Sequence, residues 1–145
     1  MTSSTSGAAP LPGTPQLDAA GTRYQPGNCN IGPAEIARRR QAGHVGLLVT
    51  VIVLGVLILA NAPPIIRLLI ALPAAGAAAG YLQAGLKFCA GFGSRGIFNF
   101  GELGQTEPVA DVAARGRDGA RANQIFLGSL GIGIAFGVVA ALLPL

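Results

Sequence analysis

Cys29, Cys89 and His44 are the residues of this chain whose side chains best suit nucleophilic, redox or soft-metal chemistry. Cys29 stands in Asn28-Cys29-Asn30-Ile31-Gly32 and Cys89 in Lys87-Phe88-Cys89-Ala90-Gly91. Two cysteines are too few for a disulfide scaffold, and there is no C-x-x-C motif. Three chemistries fit them: a redox pair, a persulfide carrier, or a soft-metal site with His44 as third ligand. Arg38, Lys87 and Arg95 supply basic neighbours of the kind reactive thiols have. The competing reading is two isolated thiols packed near a membrane surface, and a reducing compartment opposes a stable disulfide between them.

Two further patterns invite a functional reading. Gly91-Phe92-Gly93-Ser94-Arg95-Gly96 is formally a G-x-G-x-x-G. A dinucleotide site needs a strand before that motif and an acid about 20 residues after it. Here a hydrophobic run precedes it, so a turn leaving the bilayer is expected, with no nucleotide and no other cofactor. Phe88, Phe92, Phe98 and Phe100 are four of the six phenylalanines and lie beside Lys87 and Arg95. Aromatic rings next to basic groups suit the headgroup zone, so this segment is expected to lie there. His44, the one histidine, falls at the end of an apolar run and is expected at the interface.

Composition decides the medium in which these residues must be positioned. The chain has 145 residues, 51% hydrophobic and 11% charged, with a mean hydropathy of +0.56. A soluble domain carries about 25% charged residues, so too few ions are present to coat a water-facing surface. The net charge is +4, but the basic residues flank hydrophobic runs, which reads as membrane topology and not as nucleic-acid binding. An all-α integral membrane protein with three transmembrane helices, a hairpin plus one, is therefore expected, with a short helical loop on the cytoplasmic side.

Residues 1–30 are dominated by Ser, Thr, Gly, Pro and Ala and are expected to form a flexible cytoplasmic tail. Gly32-Pro33-Ala34-Glu35 suits a helix start, with proline at the first position and an acid in the first turn. An interfacial helix is expected over 31–43, with Arg38, Arg39 and Arg40 marking the water boundary. Residues 44–61 are apolar all round and span roughly 27 Å at about 1.5 Å per residue, close to the hydrocarbon thickness of about 30 Å. Asn61-Ala62-Pro63-Pro64 ends that helix, because prolines lack the donor that would continue it.

The second span is expected over 65–86, kinked at Pro73, with Arg67 snorkelling from its first turn. Gly76 and Gly80 form a GxxxG within a run of alanines, a flat face that admits a neighbouring helix. Residues 87–123 are the largest polar segment, with a weak helix expected over 108–122 and an Asp111–Arg115 pair on it. The third span is expected over 124–143. Ser129, Gly133 and Gly137 recur every fourth residue there and make a second small-residue face. The second and third spans should pack on each other or on partner helices.

Nine of the ten Lys and Arg residues lie before the first span or between the second and third. The positive-inside rule then predicts a cytoplasmic N-terminus and central loop and an outward C-terminus, in a bacterial inner membrane. Asn30-Ile31-Gly32, Arg38–Arg40, the spans at 44–86 and Phe88-Cys89 together resemble the YgaP-like transmembrane domain family, across about half the chain. A third span, a longer central loop and the extra Cys29 depart from it. The resemblance implies an inner-membrane hairpin and favours sulfur or redox chemistry. The residues themselves favour a structural or accessory subunit over an enzyme, meeting the lipid bilayer and either copies of itself or partner helices. Membrane-tethered thiol chemistry, or metal or small-solute transport by an oligomer, are the alternatives.

Overall fold

The computed structural model describes Gln16–Leu17 and residues 23–145. Two short strands, β1 (Gln16–Leu17) and β2 (Arg23–Tyr24), pair antiparallel. Helix α1 then runs from Pro33 to Leu59 without interruption. Gly32 is its extended N-cap, Pro33 opens it and Glu35 lies in its first turn. The interfacial helix expected at 31–43 and the span expected at 44–61 are thus one rod about 40 Å long. Gln41, Ala42 and Gly43 contain no breaker strong enough to divide it.

Asn61 takes a left-handed φ of 50° and the Ala62 N–H closes back on the Leu57 carbonyl at 3.0 Å. Pro64 then opens α2 (Pro64–Arg67), which tightens into a 3₁₀ turn over Leu68–Ile70 before α3 (Ala71–Leu86). The cause is Pro73, which has no N–H for the carbonyl of Leu69 and crowds it with its ring. The break therefore falls one turn ahead of the proline.

Helix α4 (Ala90–Arg95) follows, then the antiparallel pair β3 (Ile97–Phe98) and β4 (Glu107–Pro108). Helix α5 spans Val112–Leu142. The weak helix expected over 108–122 and the third span are a single helix that begins later, at an Asp111 cap whose carboxylate accepts from the Ala113 N–H at 3.1 Å. Asp111, expected to pair with Arg115, caps the helix instead.

Helices α1 and α5 both pack on α3, with α3 in the middle of the row. Close approach between backbones sets this arrangement. A Cβ added at Gly80 would lie 2.4 Å from the Gly43 nitrogen, and one at Gly46 would lie 2.7 Å from the Ala77 nitrogen. On the other side of α3, a Cβ at Gly133 would lie 2.5 Å from the Ala71 carbonyl oxygen, and one at Gly137 would lie 3.1 Å from the Leu68 oxygen. Helix α1 supplies two of these contact glycines, Gly43 and Gly46. Gly76 faces open space, so the GxxxG acts through Gly80 alone. Ala114, Asp118, Ala122, Ile125, Ser129, Gly133, Gly137 and Ala140 are buried along α5, a stripe with helical spacing that runs its whole length.

All three long helical segments are long and apolar enough to cross a membrane. Leu48, Ile52 and Val56 on α1 and Phe126, Ile134 and Val139 on α5 are exposed, a surface suited to lipid. At the end of the row near the C-terminus, Arg67 is buried. Its Nε donates to the Ala62 carbonyl at 2.8 Å and its Nη1 to the Leu143 carbonyl at 2.9 Å. It does not snorkel, because the Ala62 carbonyl of the turn before α2 and the Leu143 carbonyl at the end of α5 satisfy it inside the protein.

At the opposite end, residues 23–32 and 87–111 fold on each other as a cap. The Gly32 N–H donates to the Asn99 carbonyl at 2.8 Å and the Asn99 N–H to the Asn30 carbonyl at 3.0 Å. Residues 23–30, expected to belong to a flexible tail, are part of this packing, while residues 1–15 and 18–22 of that tail lie outside the described residues. Tyr24 is buried, stacks on Phe98 with ring centroids 5.0 Å apart, and donates its hydroxyl to the Asp118 carboxylate. Phe88, Phe92 and Phe98 are buried. These rings turn into the protein: Phe98 packs with Tyr24, Phe92 with Ile31 and Cys89, and Phe88 with Ala122 and Ile125 of α5.

Candidate functional site: a buried thiol, guanidinium and carboxylate under the cap

The first turns of α1 carry Glu35 and Arg39 one helical turn apart, on the face the cap covers. Glu35 is 1% exposed and its Oε2 lies 3.5 Å from Arg39 Nη2. The same Nη2 donates to Cys89 Sγ at 2.9 Å. One nitrogen therefore joins a buried carboxylate to a buried thiol, which is itself 2% exposed. Arg39 also lies over the Phe92 ring, 5.7 Å from its centroid, and Arg95 lies 5.6 Å from the same centroid. A ring flanked by two guanidiniums stabilises both through its negative face.

Two asparagines brace the cluster, Asn30 at Cys89 and Asn99 at Glu35. Asn30 is fully buried, accepts from the Cys89 N–H at 2.7 Å and donates to the Cys89 carbonyl at 3.1 Å. That pair of hydrogen bonds between one side-chain amide and one backbone residue fixes Cys89 as the N-cap of α4. Asn99 donates to the Glu102 carbonyl at 2.8 Å and faces Glu35 Oε1 at 3.4 Å. Neither asparagine stands out in the sequence, since short polar residues in loops are common.

The glycines of Gly91–Gly96 have a packing explanation. A Cβ at Gly93 would lie 2.8 Å from the Asp118 carbonyl oxygen and 2.7 Å from the Phe88 ring, so glycine lets α4 lie flat on α5. Gly96 has a φ of 67° and caps α4 in the left-handed region. The segment is a short helix, not a loose turn.

The three proposed metal ligands are not assembled. His44 Nδ1 is 2.7 Å from the Tyr81 hydroxyl, between α1 and α3, and Cys89 is engaged by Arg39. Among the described residues no group of three His, Cys, Asp or Glu side chains is placed to hold a metal ion. Cys29 and Cys89 are both free thiols. They lie at the same end, on either side of Asn30, which is next to one in sequence and bonded to the other. Burial pushes the Cys29 thiol up from its ordinary range, against the pull of Lys87.

A second buried acid lies on the α5 side of the cap. Asp118 is fully buried and accepts from both Tyr24 and the Gly27 N–H, the latter at 2.6 Å. Burial raises its carboxyl above the usual range, opposed by the Tyr24 and Gly27 hydrogen bonds and by Arg117. Burial and the Asp118 bond raise the Tyr24 phenol too. Asp118 belongs to the largest polar segment of the sequence, and its helical register with Ala114 and Ala122 is the signal that it faces inward.

Chemically, the cluster around Cys89 can hold a thiol against a permanent cation and release it only if the cap moves. Comparison with family models, curated proteins and solved structures gives no match to this chain.

Proposed function

We propose that this is a multi-pass membrane protein that serves as a structural or accessory subunit, with its cap on the cytoplasmic side and its C-terminus on the outer side. The observation that carries the reading is the row of helices. Because α1 and α5 meet α3 and barely meet each other, two long apolar outer faces stay open for copies of the chain or for partner helices. The cap end holds nine of the ten Lys and Arg residues, which supports the cytoplasmic assignment by the positive-inside rule. A bacterial inner membrane is the setting that fits this arrangement.

The buried cluster then acts as the lock that seats the cap on the helices. A photo-crosslinking residue at Val56 on α1 or Val139 on α5, introduced in intact membranes, tests the reading. One discrete protein adduct is expected, of doubled mass for self-association or of a fixed larger mass for a partner. Lipid adducts alone at both positions would overturn it.

Thiol chemistry is the second reading, and the 2.9 Å contact from Arg39 to Cys89 favours it. It requires the cap to open. Alkylation of Cys89 in the folded protein at a rate near that of the unfolded chain would support it, and full protection would remove it.

A further inference from the structure

Between α1 and α5, over the middle of α3, runs a groove of about 280 Å³. Ala74, Ala77 and Ala78 form its floor, and Leu47 and Phe136 stand on its two sides. The small floor residues are a consequence of the packing: bulk at Ala77 would collide with Gly46, whose own added Cβ would lie 2.7 Å from the Ala77 backbone. The polar atoms beside the groove already have partners. Thr50 donates to the Gly46 carbonyl at 2.7 Å, and the Tyr81 hydroxyl pairs with His44. The occupant must therefore be apolar along its length.

Charge selects among apolar occupants. The groove's cap-side end is polar and cationic. Tyr81 lines the groove, and its hydroxyl meets His44 Nδ1 at 2.7 Å. Arg40, His44 and Leu47 are spaced by four and three residues, so they share one stripe of α1. Arg40 and His44 are both exposed. Arg40 stands about 10 Å along the axis from Leu47, which places it in the headgroup layer when the groove lies in hydrocarbon.

We propose that this groove binds an acyl chain of an anionic phospholipid, with the headgroup phosphate held at Arg40 and His44. The occupant is thus apolar where the wall is apolar and negative where α1 turns positive. The site is separate from the outer faces of α1 and α5 assigned above to protein partners.

The test is lipid retention by the full chain, delipidated in detergent and titrated with phosphatidylglycerol and phosphatidylcholine of matched chains, read by native mass spectrometry. Phosphatidylglycerol should be retained about fivefold over phosphatidylcholine, the effect of one basic residue near an anionic headgroup. Arg40→Gln, an exposed substitution that leaves the fold intact, should bring the two lipids to parity. Ala78→Leu should lower retention of both by filling the floor, and a thermal melt identifies any loss of fold in that variant. Equal retention by the parent chain, or a preference that survives Arg40→Gln, would overturn the proposal. So would a photo-crosslinker at Phe136 that captures protein and no lipid in intact membranes.

Discussion

Between α1 and α3 the tightest contact is a glycine on a glycine, Gly80 against Gly43, and nothing polar crosses it except the His44–Tyr81 pair at its end. Under the cap the contacts are of another kind: Asn30 on Cys89, Arg39 between Glu35 and Cys89, Tyr24 on Asp118. The row is held by shape and the cap by directed bonds. In lipid, apolar side chains gain little by leaving their surroundings, so helices associate through close packing. In the cap, each buried polar group must find a partner or cost stability. The two regions should therefore fail in opposite ways, one when an atom is added and the other when a partner is removed.

The largest effect is expected from adding bulk to the row. Gly80→Leu and Gly133→Leu should each destabilise the single chain by about 3 kcal/mol, the upper end for overpacking. Gly76→Ala and Gly131→Ala, where a Cβ meets open space, should be neutral or stabilising by about 0.5–1 kcal/mol. Thermal unfolding in detergent followed by helical circular dichroism separates the two pairs. Equal losses at all four positions would abolish the distinction between filled and open helix faces.

Next in size is removal of the cation under the cap. Arg39→Met leaves Glu35 buried beside an apolar side chain. A cost of about 2 kcal/mol is expected, reduced from the buried-pair value because the Arg39 side chain is 20% exposed. Adding Glu35→Gln to that variant should recover part of the loss, and a double-mutant cycle measures the coupling. Faster alkylation of Cys89 in Arg39→Met, with helix content unchanged, would show that the cap loosens while the row stays intact.

The far end of the row makes a useful intermediate, since Arg67 brings cap-like bonding into the row. Arg67→Met should cost about 1–2 kcal/mol for two carbonyls that lose a charged donor. The damage should appear as faster hydrogen exchange near Ala62 and Leu143, with the cap unaffected.

The smallest effect is a pH dependence confined to the cap. The folded carboxyl of Asp118 is raised above its unfolded value. Its contribution to stability is therefore fully present below about pH 4, the ordinary range for Asp. It is lost as pH rises through the folded value, because ionisation under the cap is then less favourable than in the unfolded chain. Protection of Tyr24 from exchange or quenching should weaken in that window, and Asp118→Asn should flatten the profile. A flat profile in the parent chain would count against burial of the carboxylate. Tyr24, also raised, adds a second loss that begins above about pH 10.

Much of the row was legible in the residues because an apolar span obeys one rule at every turn of helix. Three apolar runs of the right length, the Pro63-Pro64 break and the small residues at Gly80, Gly133 and Gly137 all follow from hydrocarbon thickness and backbone sterics. The partner of each small residue was not legible. Gly43 and Gly46 lie within polar and bulky surroundings, and only the crossing of α1 with α3 shows that they are contact points. Gly76 carries the same local signal as Gly80 and faces the other way.

The sequence by itself determined that three helical segments are long and apolar enough to cross a membrane and where the turn between the first two falls. Charge scarcity and proline placement act locally, and each can be read one residue at a time. Only the tertiary structure decided that Cys89 meets Arg39, that Tyr24 meets Asp118 and that Arg67 turns inward. Those contacts join residues between 50 and 94 positions apart, or 76 for Arg67 and Leu143. A hydrogen bond is set by position in space, and no local pattern of residue types carries it.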